Sequence, residues 1–213
     1  LIKHPMDFVS DVIKERGYSG KTIGTEMDTH YFTARCQERL EYNLPKAKFK
    51  DATSLVNWVK VIKSDTEIDC IKKAARIVEN AMQAAYDTID VGVRECDAAA
   101  NVYHAQISGT SEYGGDYTAI APLMPAGIRT STPHLCWTDK TYKEGETVLV
   151  EIAGVYKRYH CPMSRTIILR EPSQKVKDLS SAVAEGIAET LAMVRPGVTA
   201  EEVESSRGES FKM

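Results

Sequence analysis

The segment from Gly145 to Thr166 restricts the fold of this chain more than any other part of its sequence. It holds two runs of strand-forming residues, 145–154 and 159–166, separated by the four residues Val155-Tyr-Lys-Arg. Aromatic and β-branched residues on either side of so short a connection predict two adjacent strands joined by a tight turn, a β-hairpin. The first strand carries one carboxylate, Glu151, within an apolar run.

Glu151 is the first candidate for chemistry. A carboxylate on a strand that faces a cleft can act as a nucleophile or as a general base. Apolar and polar residues do not alternate cleanly from Val148 to Ala153, which favours a strand that is buried on both faces. The other interpretation is a glutamate on an edge strand that points to solvent, and the residues alone leave both open.

The hairpin resembles the core hairpin of the pita-bread hydrolases, which include methionine aminopeptidase, prolidase, aminopeptidase P, creatinase and ectoine hydrolase. In the metal-dependent members it carries two aspartates, one in a Val-Asp-(Ile/Ala)-Gly context and one just before (Ser/Thr)-Arg-Thr. Glu151 and Pro162 stand at these two positions, at the spacing of the family. A proline side chain cannot bind a cation, so the resemblance implies that the bridging metal site is lost. We therefore expect no metal and no cofactor.

Two separated segments, 115–137 and 156–166, are most similar in sequence to the ectoine hydrolases of this family. This resemblance implies a metal-independent hydrolase that opens the cyclic amidine ring of ectoine, a small-molecule substrate. Ser164 stands where creatinase-like relatives carry a glutamate, which argues against creatinase. Two alternatives stay open: a metal-dependent Xaa-Pro dipeptidase or aminopeptidase, and a truncated remnant without catalytic activity.

The resemblance also implies roles for individual residues. Relatives carry a histidine about as far before the strand as His134, where it contacts the substrate and relays protons, a role that suits imidazole near neutral pH. His134 could instead be a loop residue without a role. Arg165 could bind a substrate carboxylate with its guanidinium, or it could brace the hairpin through an ion pair. Tyr159 is a further substrate-binding candidate, with simple packing as its alternative.

Composition narrows the classes of partner. The chain has 213 residues, a formal charge of −3 and 43% hydrophobic residues, which is enough apolar material for one or two cores. The near-neutral charge balance gives no excess of positive charge that would attract nucleic acid or an anionic membrane, so we expect neither as a partner. No apolar run approaches the roughly 20 residues that a membrane span requires.

The cysteines and the first residues bear on the compartment. Five cysteines lie far apart without a Cys-x-x-Cys pair, which predicts reduced, mostly buried thiols in a cytoplasmic protein. The first residues have neither the apolar stretch nor the cleavage site of a signal peptide. We therefore expect a cytoplasmic location.

The order of predicted elements gives an α/β (α+β) fold with two domains. Residues 1–62 alternate helix and strand, with Asp28 as the N-cap of one helix, and they resemble the C-terminal part of the N-terminal domain of creatinase and prolidase relatives. Residues 63–213 resemble the first half of a pita-bread catalytic domain. Ser64 and Glu67 form a capping box that starts a long amphipathic helix, which reaches to about Thr88.

A weak internal repeat supports this half-domain. Residues 91–98 and 196–203 share a Gly-Val pair that follows one helix and leads into the next. The pita-bread domain has such a pseudo-twofold, so the resemblance implies that a second half should follow. From Glu204 the sequence is polar and aperiodic, and we expect an irregular tail there. The chain is therefore expected to be a fragment, of an enzyme that forms a homodimer like its relatives.

Overall fold

The computed structural model describes residues 3–210, and the chain divides into two compact units, one up to Thr66 and one from Glu67 onward. Both units mix helices with strands, so the expectation of an α/β fold is confirmed. Within the described residues, no helix is both long enough and apolar enough to cross a bilayer.

The first unit alternates helix and strand as its sequence predicts. Its elements in order are helix α1 (Pro5–Glu15), strand β1 (Thr22–Thr25), helix α2 (Ala34–Asn43), strand β2 (Lys48–Asp51) and helix α3 (Leu55–Val61). The two strands pair in parallel, with Thr22 opposite Lys48 and Thr25 opposite Asp51. A crossover through α2 joins them, which is the connection that parallel strands require.

An ion pair joins α1 to α2. Asp7, in the first turn of α1, accepts hydrogen bonds from Arg39 Nε (2.5 Å), Arg39 Nη2 (3.0 Å) and Asn43 Nδ2 (2.8 Å). These bonds, with that from Arg39 the largest influence, hold the pKa of the Asp7 carboxyl well below its usual range. The predicted N-cap of α2 at Asp28 is wrong: the helix begins at Ala34, after Thr33, whose hydroxyl accepts from Cys36 N.

The second unit contains the predicted hairpin. Its elements are helix α4 (Asp65–Thr88), helix α5 (Glu95–Ser108), a 3₁₀-helix (Gly127–Ser131), strand β3 (Thr147–Tyr156), strand β4 (Tyr159–Ile168), helix α6 (Gln174–Met193) and helix α7 (Ala200–Ser210). The long helix α4 confirms the predicted one. Strands β3 and β4 are antiparallel and end on the pair Tyr156–Tyr159, so the hairpin is confirmed.

One face of the hairpin packs on the helices. Val148, Val150 and Ile152 of β3 are buried in a cluster with Val78 and Val102, from α4 and α5 respectively. Complete burial of such a side chain contributes about 1.5–3 kcal/mol relative to exposure. This face anchors β3, and it leaves the opposite face, on which Glu151 lies, free for other contacts.

Helix α4 lies so close to β3 that only glycine fits at the crossing. A Cβ atom added at Gly154 would lie 2.1 Å from the carbonyl oxygen of Ala74 and 2.6 Å from the backbone nitrogen of Val78. Both atoms belong to the helix backbone, which cannot rotate away as a flexible side chain could. Gly154 therefore fixes the distance between the hairpin and α4.

Two expectations about the rest of the chain need correction. Helix α7 continues to Ser210, so the irregular tail expected from Glu204 is wrong as far as Ser210, and residues 211–213 lie outside the described residues. All five thiols are free, as expected, but only Cys70 is buried and Cys136 is exposed. The prediction that most thiols are buried is therefore wrong.

Candidate active site

Glu151 lies on β3, which has β4 on one side and the segment around Leu123 on the other. Its backbone N–H donates to Leu123 O (2.9 Å) and its carbonyl accepts from Leu123 N (3.0 Å), while β4 pairs on the other side of the strand. Strand β3 is thus held from both sides at Glu151. Its side chain is 41% exposed on the face away from the helices, so the carboxylate is accessible to a ligand.

His134 approaches the same carboxylate from a loop. Its Nε2 lies 3.7 Å from Glu151 Oε1, and its side chain is 71% exposed. This separation is within ion-pair range but longer than the 2.6–3.2 Å of a direct hydrogen bond, so a water molecule or a small approach of the loop would complete a proton path. His134 has a φ of 60°, a left-handed conformation that histidine adopts more readily than most residues.

The structure does not bring Arg165 and Tyr159 to this pair. Residues directly opposite each other in antiparallel strands point to the same face. Arg165 pairs with Val150 and Tyr159 pairs with Tyr156, so both lie on the face opposite to that of Glu151. Their predicted roles in substrate binding stay predictions.

Local contacts account for both side chains. Arg165 is exposed, and its Nη1 donates to the carbonyl of the neighbouring Ser164 (2.7 Å). The Tyr159 hydroxyl donates to Glu67 Oε1 (2.9 Å), a bond between the hairpin and the start of α4. This hydrogen bond, with a smaller contribution from burial, raises the pKa of Tyr159.

Pro162 lies on the same face as Glu151. Glu151 pairs with Ser164, and the next pair on that face is Ala153 with Pro162.

The backbone nitrogen of Pro162 points away from β3. The N–H groups of Leu149 and Glu151 both point away from β4, to the carbonyls of Pro125 and Leu123. The alternation of an antiparallel ladder therefore directs the nitrogen of Pro162 to the outer edge of β4, which has no partner strand in the described part of the chain. Proline is tolerated there because no donor is required.

The turn of the hairpin is strained and is held by a neighbouring segment. Lys157 and Arg158 have φ values of 48° and 68°, a conformation that tight hairpin turns require and that glycine or asparagine usually supplies. Arg158 N donates to Asp116 Oδ2 (3.0 Å), and its guanidinium lies 3.8 Å from the centre of the Tyr117 ring. These contacts fix the start of the segment that continues to Leu123, beside Glu151.

Sequence reasoning missed Glu95, the first residue of α5. Its carboxylate is buried, with 4% of the residue exposed, and it accepts hydrogen bonds from Arg129 and Thr138, which lie on either side of His134 in sequence. A glutamate in the first turn of a helix is ordinarily explained by the helix dipole. No signal in the sequence separates that case from a buried carboxylate, because burial depends on where residues 129–138 pack.

Comparison with known proteins agrees with this geometry. The solved prolidase from Pyrococcus furiosus superposes with a TM-score of 0.84 at 25% identity, covering 99% of this chain and 59% of that one. The fold is thus that of the pita-bread hydrolases. The profile of metallopeptidase family M24 matches residues 69–210, and the chain belongs to this family.

Two curated relatives show the range of activities among similar proteins. The ectoine hydrolase of Halomonas elongata is 40% identical over 200 residues, covering 91% of this chain and 50% of the relative. A Xaa-Pro dipeptidase of Pyrococcus horikoshii is 28% identical over 185 residues, covering 87% of this chain and 51% of the relative. The chain spans about half the length of the curated relatives that it matches.

The family name implies a metal, and the residues described here do not fit one. Pro162 offers no ligand atom on the face of Glu151. Among the side chains that the structure describes, those of residues 3–205, no group of three or more from His, Cys, Asp or Glu lies close enough to hold a metal ion. A pair of bridging carboxylates is the usual basis of a two-metal hydrolytic site, and this hairpin supplies one carboxylate.

Proposed function

We propose that this chain carries the first half of the catalytic domain of a metal-independent hydrolase that opens the cyclic amidine ring of ectoine. The observation that carries the proposal is the pair formed by Glu151 and His134, 3.7 Å apart on a hairpin face where Pro162 replaces the second carboxylate. The 40% identity to an ectoine hydrolase supports the choice of substrate.

In the proposed reaction, Glu151 takes a proton from a water molecule while the water oxygen bonds to the amidine carbon. Glu151 passes this proton to the ring nitrogen that loses its double bond, and a neutral tetrahedral intermediate results. Collapse of this intermediate breaks the bond between the carbon and one ring nitrogen, which leaves as an amine after protonation by His134. Glu151 accepts the remaining proton of the water oxygen, which becomes the carbonyl oxygen of an N-acetylated diaminobutyrate. Direct attack of the Glu151 carboxylate on the carbon is the second route open to the same residue.

The remaining parts of the proposal follow the family resemblance. Residues 1–62 would belong to an N-terminal domain and 63–213 to the catalytic domain, in a cytoplasmic homodimer. Arg165 and Tyr159 lie on the other face of the hairpin, so the proposed step does not use them, and their roles in substrate binding stay predictions. Light scattering on the purified protein would measure its oligomeric state.

The test is an assay of the protein with this chain and any sequence that its gene encodes beyond it. Ectoine turnover is followed by mass spectrometry of the ring-opened product, with EDTA or with added Mn²⁺. We expect turnover that EDTA leaves unchanged, and a loss of about 100-fold or more in Glu151→Gln. Glu144→Gln is the control, because Glu144 is an exposed glutamate in the turn before β3.

The alternatives predict other outcomes. Cleavage of a Xaa-Pro dipeptide that depends on Mn²⁺ would replace the proposal with a dipeptidase, the activity in the name of the second relative. A cooperatively folded protein without turnover on either substrate would indicate a remnant. Wild-type rates from Glu151→Gln would exclude the mechanism even if ectoine is the substrate.

A further inference from the structure

Glu95 accepts an unusual number of hydrogen bonds at one oxygen. Its Oε2 accepts from Arg129 Nη1 (3.0 Å), from Thr138 N (2.5 Å) and from Thr138 Oγ1 (2.9 Å). Glutamate is almost never buried unless it is paired in this way. The arrangement lies at the N-terminus of α5, where the helix dipole favours a negative charge. This buried carboxylate therefore holds two separate points of the chain, Arg129 and Thr138.

Arg129 closes the loop that lies between those points. While Nη1 donates to Glu95, Nη2 donates to the carbonyl of Cys136 (2.5 Å), so one guanidinium joins the two ends of the segment 129–136. Thr138 and the residues after it are fixed to the same helix start, because Glu95 N donates to Lys140 O (2.8 Å). Both ends of the loop are thus fastened at Glu95.

His134 lies within this closed segment. Its side chain is 71% exposed, so surrounding side chains contribute little to holding its imidazole. The position of the imidazole depends on the loop backbone, including the left-handed conformation at residue 134. Whatever fixes residues 129–138 therefore fixes the distance between His134 and Glu151.

We propose that Glu95 is a positioning residue for the active site: through Arg129 and Thr138 it holds the loop that places His134 beside Glu151. Glu95 does not contact the reacting atoms. The inference rests on the proposed function only in giving His134 a catalytic role, and the positioning of the loop is testable without any substrate.

The first test measures hydrogen exchange by mass spectrometry in the chain and in Glu95→Gln. The substitution keeps size and shape but removes the charge, and it places an amide that donates hydrogen bonds among groups that also donate. We expect exchange in peptides covering 129–138 to become about tenfold faster or more, with the buried part of α4 unchanged. Asp97→Asn is the matched control, because Asp97 pairs with Arg94 on the same helix turn at 2.6 Å, is exposed and, among the described residues, has no hydrogen bond or ion pair with the loop.

A second variant distinguishes loosening of the loop from a general loss of folding. Arg129→Lys keeps the positive charge but cannot join Glu95 to Cys136, so it should loosen 129–136 while Glu95 stays paired with Thr138. Unchanged exchange in this segment for both variants would overturn the proposal. An increase spread evenly over α4 and α5 would also overturn it, since Glu95 would then support the whole fold and not the loop.

Activity separates this inference from the proposed function. In the active enzyme, Glu95→Gln should lower kcat much more than it raises KM, because His134 is misplaced for proton transfer while the hairpin face is unchanged. If the wild-type protein does not hydrolyse ectoine, the proposed function fails, and a loop loosened in the exchange experiment still supports Glu95 as its anchor. If ectoine is hydrolysed and kcat is unaffected by Glu95→Gln, the positioning role is excluded.

Discussion

Pro162 is the diagonal neighbour of Glu151 on one face of the β3–β4 hairpin. Glu151 is paired with Ser164, and Pro162 is the next residue of β4 that points to the same side. Diagonal neighbours in an antiparallel pair lie about 7–8 Å apart, within reach of two acidic side chains that share a cation. The hairpin backbone therefore still places two residues where two carboxylates could share a cation. The second of them is Pro162, which supplies no ligand atom.

Replacing Pro162 with Asp should create a site for a divalent cation. The new carboxylate would face Glu151, and carboxylate oxygens are the ligands that Mn²⁺ prefers. The N–H group that aspartate adds at residue 162 needs no partner within the protein. It points to the edge of β4 that has no partner strand in the described part of the chain. We expect calorimetric titration with Mn²⁺ to detect binding at least about tenfold tighter than in the wild-type chain.

The control for this prediction is the double variant Pro162→Asp with Glu151→Gln. It keeps the new aspartate but removes its partner, so the added affinity should disappear. Equal Mn²⁺ affinity in the single and double variants would show that the aspartate binds the cation without Glu151 and would contradict the proposed geometry.

His134→Asn tests the histidine without disturbing its backbone. Asparagine adopts the left-handed conformation found at residue 134, so the thermal unfolding midpoint should not change. Loss of a proton relay should lower kcat by about 100-fold or more. His30→Asn provides the control, because His30 is an exposed histidine in the first unit. An unchanged kcat in His134→Asn would remove His134 from the mechanism.

Local sequence was sufficient to predict the hairpin and the long helix. A four-residue connection between two strand-forming runs allows little besides a hairpin, and the observed turn lies at Lys157 and Arg158. The proximity of His134 to Glu151 came from the resemblance to a family, because nothing in a loop sequence states which strand the loop approaches. The structure places their side chains 3.7 Å apart.

Other features depend on geometry that sequence patterns do not carry. The motif groups Arg165 with Glu151, but alternation along β4 places Arg165 on the opposite face, which only the register with β3 reveals. Asp28 and Thr33 are both good N-cap residues, and the structure uses Thr33 as the N-cap of α2, which begins at Ala34. Glu95 resembles an ordinary residue of a first helical turn, and its role follows from the packing of a loop more than 30 residues away in sequence.

Gly154→Ala should destabilise the second unit strongly. Its Cβ would clash with the backbone of α4, at Ala74 and Val78, so β3 or α4 would have to move. We expect a loss of about 3 kcal/mol or more in the free energy of unfolding, measured by urea titration. Gly20→Ala is the control: apart from Gly20 and its two chain neighbours, no atom of the described residues lies within 4 Å of the added Cβ, and the free energy should change by less than about 1 kcal/mol. A similar small change in Gly154→Ala would show that α4 is not packed against β3 as described.

Tyr142→Phe should leave stability at neutral pH unchanged or raise it by about 1 kcal/mol. Tyr142 is 1% exposed, and within the described residues its buried hydroxyl has no hydrogen-bond partner, so its removal relieves a desolvation cost. Burial above all, with smaller contributions from Glu95, Cys96 and Glu146, raises the pKa of Tyr142 above its usual value near 10.

The raised pKa of Tyr142 gives the Tyr142→Phe variant a distinct effect on stability at alkaline pH. Because the pKa of Tyr142 is higher in the folded state, the unfolded chain loses the phenol proton at a lower pH. The wild-type protein therefore loses stability as pH rises above about 10. Tyr142 contributes up to about 1.4 kcal/mol of this loss per pH unit. Urea titrations between pH 8 and 11 should show a shallower decline in Tyr142→Phe. Tyr31→Phe removes a phenol that is 96% exposed and should follow the wild-type curve. If Tyr142→Phe also follows that curve, the Tyr142 hydroxyl ionises as readily in the folded chain as in the unfolded one, and it must then be in contact with water.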